Sequence, residues 1–438
     1  MRIAHFIQRY PPALGGAEAY FARLSRFHAE QGDDVTVFTT DAHSLNALWS
    51  PMASQVASGV TREDGVSVRR YPLWRMRGRR WLLKPLSLIP NRLWHCLTLP
   101  CNPISLAMWQ DAGAFPTRFD AVHASAFPYA FPIVCARRLA RSQGIPFFLT
   151  PFLHLGDPTD PYDLIRRAYS TPALRWLLRE ADGVFVQTPS ERAAALASGV
   201  AESRVTLQGL GVSPTDCVGG DRSLARERWN LPADAYVIGH LANLSWEKGT
   251  NDLLQAAESL WANGKPIHLL LAGPMMPNFE RAWRSLQQRQ PDAVRRFVRV
   301  VGPLSDEEKR DFFAGIDVFA LPSRCDSFGL VLLEAWANGV PNVAYRAGGI
   351  ADVIQHNRDG LLVPCGNIAS FAAAIRQMHD EPHRRMQLGS AGRERLATDF
   401  VWQEKLNLVR ETTGSVSGAF RPCGRISARE VLPGVERK

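Results

Sequence analysis

Asp326 and Glu334 stand with seven residues between them in the segment Leu321 to Pro341, LPSRCDSFGLVLLEAWANGVP. An apolar run ending at Leu321 reads as a strand, a short loop carries Asp326 and Gly329, and a helix from about Phe328 carries Glu334 within two turns. One carboxylate then sits in the loop and the other on the helix flank facing the same cavity. Each can accept hydrogen bonds from vicinal hydroxyls, of a sugar and of a ribose. The backbone N–H groups of Ser327, Phe328, Gly329, Leu330 and Val331 open that helix and suit an anion such as a diphosphate. Gly329 permits close approach. A second block, HLANLSWEKGTNDLL from His240 to Leu254, leads from a strand into a helix beginning near Gly249. It puts Lys248 just ahead of a helix start, where an ammonium and amides can jointly meet phosphate. A lone carboxylate ordinarily caps a helix or faces solvent, and a lone lysine is ordinarily solvated.

These residues need a scaffold of alternating strands and helices, and the pattern supplies one. Arg2 to Ile7 reads as a buried strand, PPALGG as a glycine loop, and Ala17 to Gln31 as an amphipathic helix. Val35 to Thr39, Val66 to Val68, Ala121 to Val122 and Pro146 to Leu149 continue the strands. The pattern restarts past a junction near Gly219 and Gly220. There Tyr236 to His240, His268 to Leu271, Phe297 to Val301, Val318 to Leu321 and Asn342 to Tyr345 are strands, with helices at Thr250 to Asn263, Asp306 to Ala314 and Leu330 to Asn338. The expected class is α/β, two Rossmann-like doubly wound domains facing across a cleft. The expected division is residues 1–215, an acceptor-binding domain; 216–395, a nucleotide-sugar-binding domain; 396–412, a closing helix; and 413–438, a disordered tail.

At Leu321 to Pro341 the chain resembles glycosyltransferase family 4, the retaining enzymes of the GT-B fold (glycosyl transferases group 1). The hallmark is P-S-x-x-E-G-F-G-L-V-x-L-E-A-x-A-x-G-x-P. Pro322, Ser323, Phe328, Gly329, Leu330, Val331, Leu333, Glu334, Ala335, Ala337, Gly339 and Pro341 match it. Asp326 replaces the first Glu and is one methylene shorter. The resemblance implies that this position contacts the transferred sugar and that Glu334 holds the ribose hydroxyls. Similarity to the family segment G-R-L-x-x-x-K-G implies that Lys248 binds the donor diphosphate, with Asn243 in place of the family's arginine. PPALGGAEAY resembles the loop P-x-x-G-G-x-E, which implies that the Gly16 backbone approaches the diphosphate from the opposing domain. Glu18, on the first helical turn, reads as a cap. Gly302 and Leu304, in VGPL, match the strand-end loop that borders the nucleotide base. His154, in LTPFLHLGD, corresponds to a histidine of a T-P-x-x-H segment and ranks above His123, in FDAVHASAFP, as an active-site residue. Both follow strands, and a hydrogen-bonded loop histidine is the competing reading for each. Ser125 stands where many members carry a histidine. Trp402 lies where members send a closing helix back across the domain junction.

The implied reaction moves a hexose-type sugar from a nucleotide diphosphate sugar, a co-substrate rather than a cofactor, to a glycan or lipid-linked acceptor. No Asp-x-Asp and no ligand-spaced cluster of His, Cys and carboxylate occurs in the sequence, so no metal is expected. Lys248 and backbone dipoles would hold the leaving group, and catalysis would rest on positioning and electrostatics. The departures at Asn243, Asp326 and Ser125 keep a second reading open, a catalytically weak nucleotide-sugar-binding or scaffold protein of the same fold. A GT-B epimerase ranks lower.

The seven cysteines show no paired spacing, and the opening residues hold only a brief apolar stretch before Arg9 and Pro11. A reduced, cytoplasmic setting is therefore expected. The formal net charge of +9 is concentrated in part between residues 69 and 94. There Arg69, Arg70, Arg75, Arg77, Arg79, Arg80, Lys84 and Arg92 interleave with Trp74, Trp81, Leu82, Leu83, Leu86 and Trp94. Such a stretch can rest on the inner face of an anionic membrane; an ordinary solvated helix and loop is the equal alternative. No nucleic-acid motif accompanies the charge.

Overall fold

The computed structural model describes residues 1–76, 78–99, 101–157, 159–160 and 162–420. Arg77 and the expected tail residues 421–438 lie outside the described residues. The chain divides into two compact units, one of residues 1–149, 180–183 and 410–438, the other of residues 150–179 and 184–409. Residues 150–179 and 184–215, expected in the first domain, thus group with the second. Residues 150–215 are tied to the later part of the second unit by Gly348 N–H to Gly156 O at 3.1 Å and by Ser190 N–H to the Asp352 carboxylate at 2.9 Å.

The first unit holds β1 (Arg2–Phe6), β2 (Asp34–Thr40), β3 (Gly59–Glu63), β4 (Val66–Tyr71), β5 (Ala121–Ala124) and β6 (Phe147–Leu149), in the order β3-β4-β2-β1-β5-β6. All pair parallel except β3, which runs antiparallel to β4. β3 is polar and mostly exposed, so no apolar period marks it. The order reverses between β1 and β5, and the loop leaving β1 leads to the helix Gly16–Glu30.

In the second unit β7 (Gly183–Val186) and β8 (Val205–Leu207) pair parallel. Its six-stranded sheet comprises β9 (Tyr236–Leu241), β10 (Ile267–Ala272), β11 (Val298–Gly302), β12 (Val318–Leu321), β13 (Asn342–Arg346) and β14 (Gly360–Pro364), ordered β11-β10-β9-β12-β13-β14. Every pairing is parallel. β10 is buried at all six positions and β12 at all four, which explains continuous apolar runs rather than alternation. Ile238, Leu269, Leu271, Val318, Val343 and Phe371 share one core. Here the order reverses between β9 and β12. The loops leaving those two strands carry Lys248 and Asp326, and such a reversal is where open α/β sheets bind ligands.

The last helix, Trp402–Ala419, corrects the expected tail, because residues 413–419 are helical; Arg410 on it pairs with Asp33 at 2.8 Å. In the basic stretch, four guanidinium groups are spent inside the first unit. Arg69 meets Asp111, Arg70 meets Glu63, Arg75 meets Asp41, and buried Arg79 donates to the carbonyls of Trp74 and Asn102. Met76, Trp81, Leu82, Leu88 and Ile89 are exposed, Trp81 at 76% and Leu88 at 81%.

Candidate active site

Lys248 sits in the turn between β9 and the helix Thr250–Ala262. That turn exists because Gly249 adopts φ 71°, and a Cβ there would lie 1.8 Å from the Pro322 carbonyl oxygen. Only glycine lets the Lys248 turn approach the loop after β12 this closely. His240 anchors the same turn. Its Nδ1 donates to the Ala320 carbonyl at 2.8 Å, so Nε2 accepts from the Thr250 hydroxyl at 3.0 Å, and Thr250 Oγ1 accepts from the Ser245 N–H at 3.1 Å. Burial pushes the His240 imidazole down to about 4, which keeps it neutral in this bridge.

Across from it, Lys248 Nζ lies 2.7 Å from Asp326 Oδ2 and 3.3 Å from the Cys325 carbonyl oxygen. Burial raises the Asp326 carboxyl, but the Lys248 ammonium outweighs it and holds the group below the usual carboxylate range. Burial likewise lowers the Lys248 ammonium, and Asp326 more than reverses this, so it stays above the ordinary lysine value. Both members are therefore ionised at neutral pH. Their side chains remain 23% and 17% exposed, open enough for a ligand to displace the pairing.

His154 completes the group. Its imidazole feels Lys248, Asp326 and the Cys325 backbone, and its ring stacks on Tyr169 at 4.5 Å. Burial, and then Lys248, depress its imidazole to about 4. Lys248 thus holds both Asp326 and the Cys325 carbonyl, with His154 beside them although it lies 172 residues before Asp326 in the sequence (326 minus 154). Two features outside the expected set hold the His154 loop. Glu191 is fully buried and accepts from the N–H groups of Leu153 and Gln187, and Phe152 adopts φ 51°, an uncommon conformation for a bulky side chain.

The helix Leu330–Ala337 starts on Gly329 at φ 87° with no side-chain cap. The helix Asp306–Gly315, by contrast, is closed by a full capping box from Ser305 and Glu308. Phe328 N–H reaches Asp326 Oδ1 at 3.5 Å, and the neighbouring amides of this helix start are the kind that suit an anion. Ser327, Leu330 and Val331 are half-buried and Phe328 is buried. Glu334, on the same helix, is held by Lys309 at 2.9 Å. Lys309 follows the capping box at once, which is the signal that could have placed it; its ammonium is lowered by burial and raised further by Glu334. Asn243 is exposed in the loop leaving β9. Gly302 ends β11 at φ 73°, its carbonyl accepting from Gly273 N–H at 2.7 Å, and Leu304 is half-buried beyond it.

Two expected contacts lie in the first unit. Gly16 is exposed as the first residue of the helix Gly16–Glu30. His123, expected in a loop after a strand, lies within β5 and is 1% exposed, its ring 5.7 Å from that of His5, 5.1 Å from Phe21 and 6.4 Å from Phe148. Burial pushes it down to about 3. Glu18, expected to cap the helix, is buried against Arg9 at 2.7 Å and Gln8 at 3.0 Å.

Parallel α/β sheets, a loop pair at a strand-order reversal and an uncapped helix start define a GT-B glycosyltransferase. The family comparison agrees: residues 221–395 match the model described as glycosyl transferases group 1, and residues 15–211 match the glycosyl transferase 4-like domain. D-inositol 3-phosphate glycosyltransferase 1 of Catenulispora acidiphila is 31% identical over 410 residues, covering 90% of this chain and 89% of that protein. Glycogen synthase of Mycobacterium tuberculosis is 27% identical over 410 residues, with 92% of each chain covered. Sucrose-phosphate synthase from Thermosynechococcus elongatus superposes with a TM-score of 0.73 at 22% identity, over 95% of this chain and 99% of that one. Anabaena HepE in complex with UDP-glucose gives 0.68 at 18%, over 95% and 100%. The chain belongs to the group 1, family 4-like glycosyltransferases, and it is a glycosyltransferase. Among the described residues no helix is long and apolar enough to cross a membrane.

Proposed function

We propose that this enzyme transfers a hexose-type sugar from a nucleotide diphosphate sugar to a glycan or lipid-linked acceptor, with retention at the anomeric carbon and without a metal ion. The bond from C1 to the β-phosphate oxygen breaks, and the acceptor hydroxyl oxygen bonds C1 on the same face. The hydroxyl proton passes to the departing phosphate oxygen, and nucleotide diphosphate leaves. The pairing of Lys248 with Asp326 and the Cys325 carbonyl, with His154 beside it and a helix start next to it, carries this reading. Lys248 and the amides of residues 327–331 stabilise the charge that grows on the leaving group. His154, neutral at pH 7, exchanges hydrogen bonds with a sugar hydroxyl without opposing Lys248. Asp326 accepts from sugar hydroxyls, and Glu334, steadied by Lys309, accepts from the ribose. Gly302 and Leu304 border the base.

A panel of nucleotide sugars tests the reading. Slow release of nucleotide diphosphate, undiminished by a chelator, is expected, as is a transfer product with the donor's anomeric configuration by NMR. Saturable binding without release would favour a scaffold, and an inverted product would exclude retention.

We also propose that residues 76–92 rest on an anionic membrane face. The exposed Met76, Trp81, Leu82, Leu88 and Ile89 lie in a run, residues 65–110, that contains no Asp or Glu. Lys84, 5.7 Å over the Trp81 ring, and exposed Arg92 supply charge toward lipid phosphates. Salt-sensitive co-sedimentation with anionic vesicles is expected, and its absence would remove the proposal.

A further inference from the structure

Lys248 and Asp326 belong to two loops, and neither loop has regular structure of its own to fix their separation. Beyond their own ion pair and the Gly249–Pro322 approach, Arg324 ties the two loops together. Its N–H donates to the Glu247 carbonyl at 2.9 Å, and its Nη1 donates to the Trp246 carbonyl at 3.3 Å. The guanidinium lies 4.7 Å over the Trp246 ring and 5.7 Å over the Tyr345 ring. Its Nη2 meets Asp252 Oδ2, which also accepts from the Tyr345 hydroxyl at 2.7 Å. Asp252 stands in the first turn of the helix Thr250–Ala262, and Tyr345 on β13. The planar fork therefore reaches both loops, the turn before that helix and the loop after β12, from the helix Thr250–Ala262 and β13.

We infer that Arg324 is a positioning residue, which with Asp252 and Tyr345 sets where Lys248 stands relative to Asp326. The inference rests on the proposed role of Lys248 at the departing diphosphate. Arg324 itself does not touch the donor, because its guanidinium is committed to Asp252 and to two aromatic faces, with side chains 16% and 5% exposed for Arg324 and Asp252. A lysine at this position keeps the charge but cannot reproduce two directed hydrogen bonds and a stacked plane. Misplacement of a catalytic ammonium by about 1 Å costs up to ~100-fold in rate.

The test is steady-state kinetics of donor turnover for the wild type, Arg324→Lys, Lys248→Ala and the double variant, with Tyr345→Phe as a milder cut in the same strut. Arg324→Lys is expected to lower kcat on the order of 10-fold with little change in donor KM. Tyr345→Phe, which removes only the hydroxyl bond to Asp252, is expected to act in the same direction less strongly, and it remains informative if Arg324→Lys fails to fold. In the double variant the loss should not exceed that of Lys248→Ala alone, since a strut acting through Lys248 has nothing left to position. A wild-type kcat for both Arg324→Lys and Tyr345→Phe, or losses that multiply with Lys248→Ala, would overturn the strut. Lys248→Ala turning over like wild type would instead sink the assigned role of Lys248.

Discussion

His123, buried, and His154, half-buried, both have depressed proton affinity, yet they sit in different company. His123 is surrounded by His5, Phe21 and Phe148 within a sheet, and its value of about 3 comes from burial, then from another histidine. His154 lies on an irregular loop and faces Lys248, Asp326 and the Cys325 carbonyl. Burial alone makes a histidine inert. Convergence with an ion pair that keeps partial exposure to solvent makes one useful.

Removing the charge that distinguishes the two environments should have the largest effect. Lys248→Ala is expected to lower kcat by about 100-fold or more while nucleotide diphosphate affinity by calorimetry changes far less. In the same variant the His154 imidazole should titrate higher, because Lys248 helps to depress it, while His123 stays where it is; histidine NMR reads both. Equal shifts at the two histidines would erase the contrast. His123→Ala should then cost about 2 kcal/mol of stability in denaturant melts through loss of core packing, with kcat per folded molecule preserved. His154→Ala is expected to do the reverse, lowering kcat roughly 10-fold through a lost substrate hydrogen bond with a nearly unchanged Tm. Loss of stability without loss of kcat in His154→Ala would return that residue to a packing role.

The smallest effect is on stability against pH. Both imidazoles hold less proton affinity when folded than the ordinary value of 6.5, so the unfolded chain binds more protons in acid. Their neutral forms stabilise the fold fully above about 6.5, and that stability is lost as pH falls toward about 4 for His154 and about 3 for His123. Urea midpoints measured from pH 7 to 4 should decline, and less steeply in His123→Ala. A flat profile would show that burial does not set these values.

Much of the scaffold was legible. Val318 to Leu321 forms a strand over the expected residues, and the helices opening at Thr250, Asp306 and Leu330 start where apolar spacing put them. Short strands such as β7, β8 and β14 went unread because three to five apolar residues carry too little period to separate strand from buried loop. The polar β3 carries none. Within the site, Lys248, Asp326 and Glu334 were visible because they flank helix starts beside strand ends. Glu191, Arg324 and Lys309 were not, since each acts through a partner distant in the chain: Leu153, Asp252 and Glu334.

Local sequence determined the family, the strand and helix order, and which side chains open the two key helices, because these depend on neighbours within a few turns. Folding in three dimensions decided that His154 comes beside the Lys248–Asp326 pair while His123 disappears into a core, and that four arginines of the basic stretch pair internally. Those outcomes depend on strand order and on which charges burial brings within hydrogen-bonding reach, and spacing along the chain does not encode either directly.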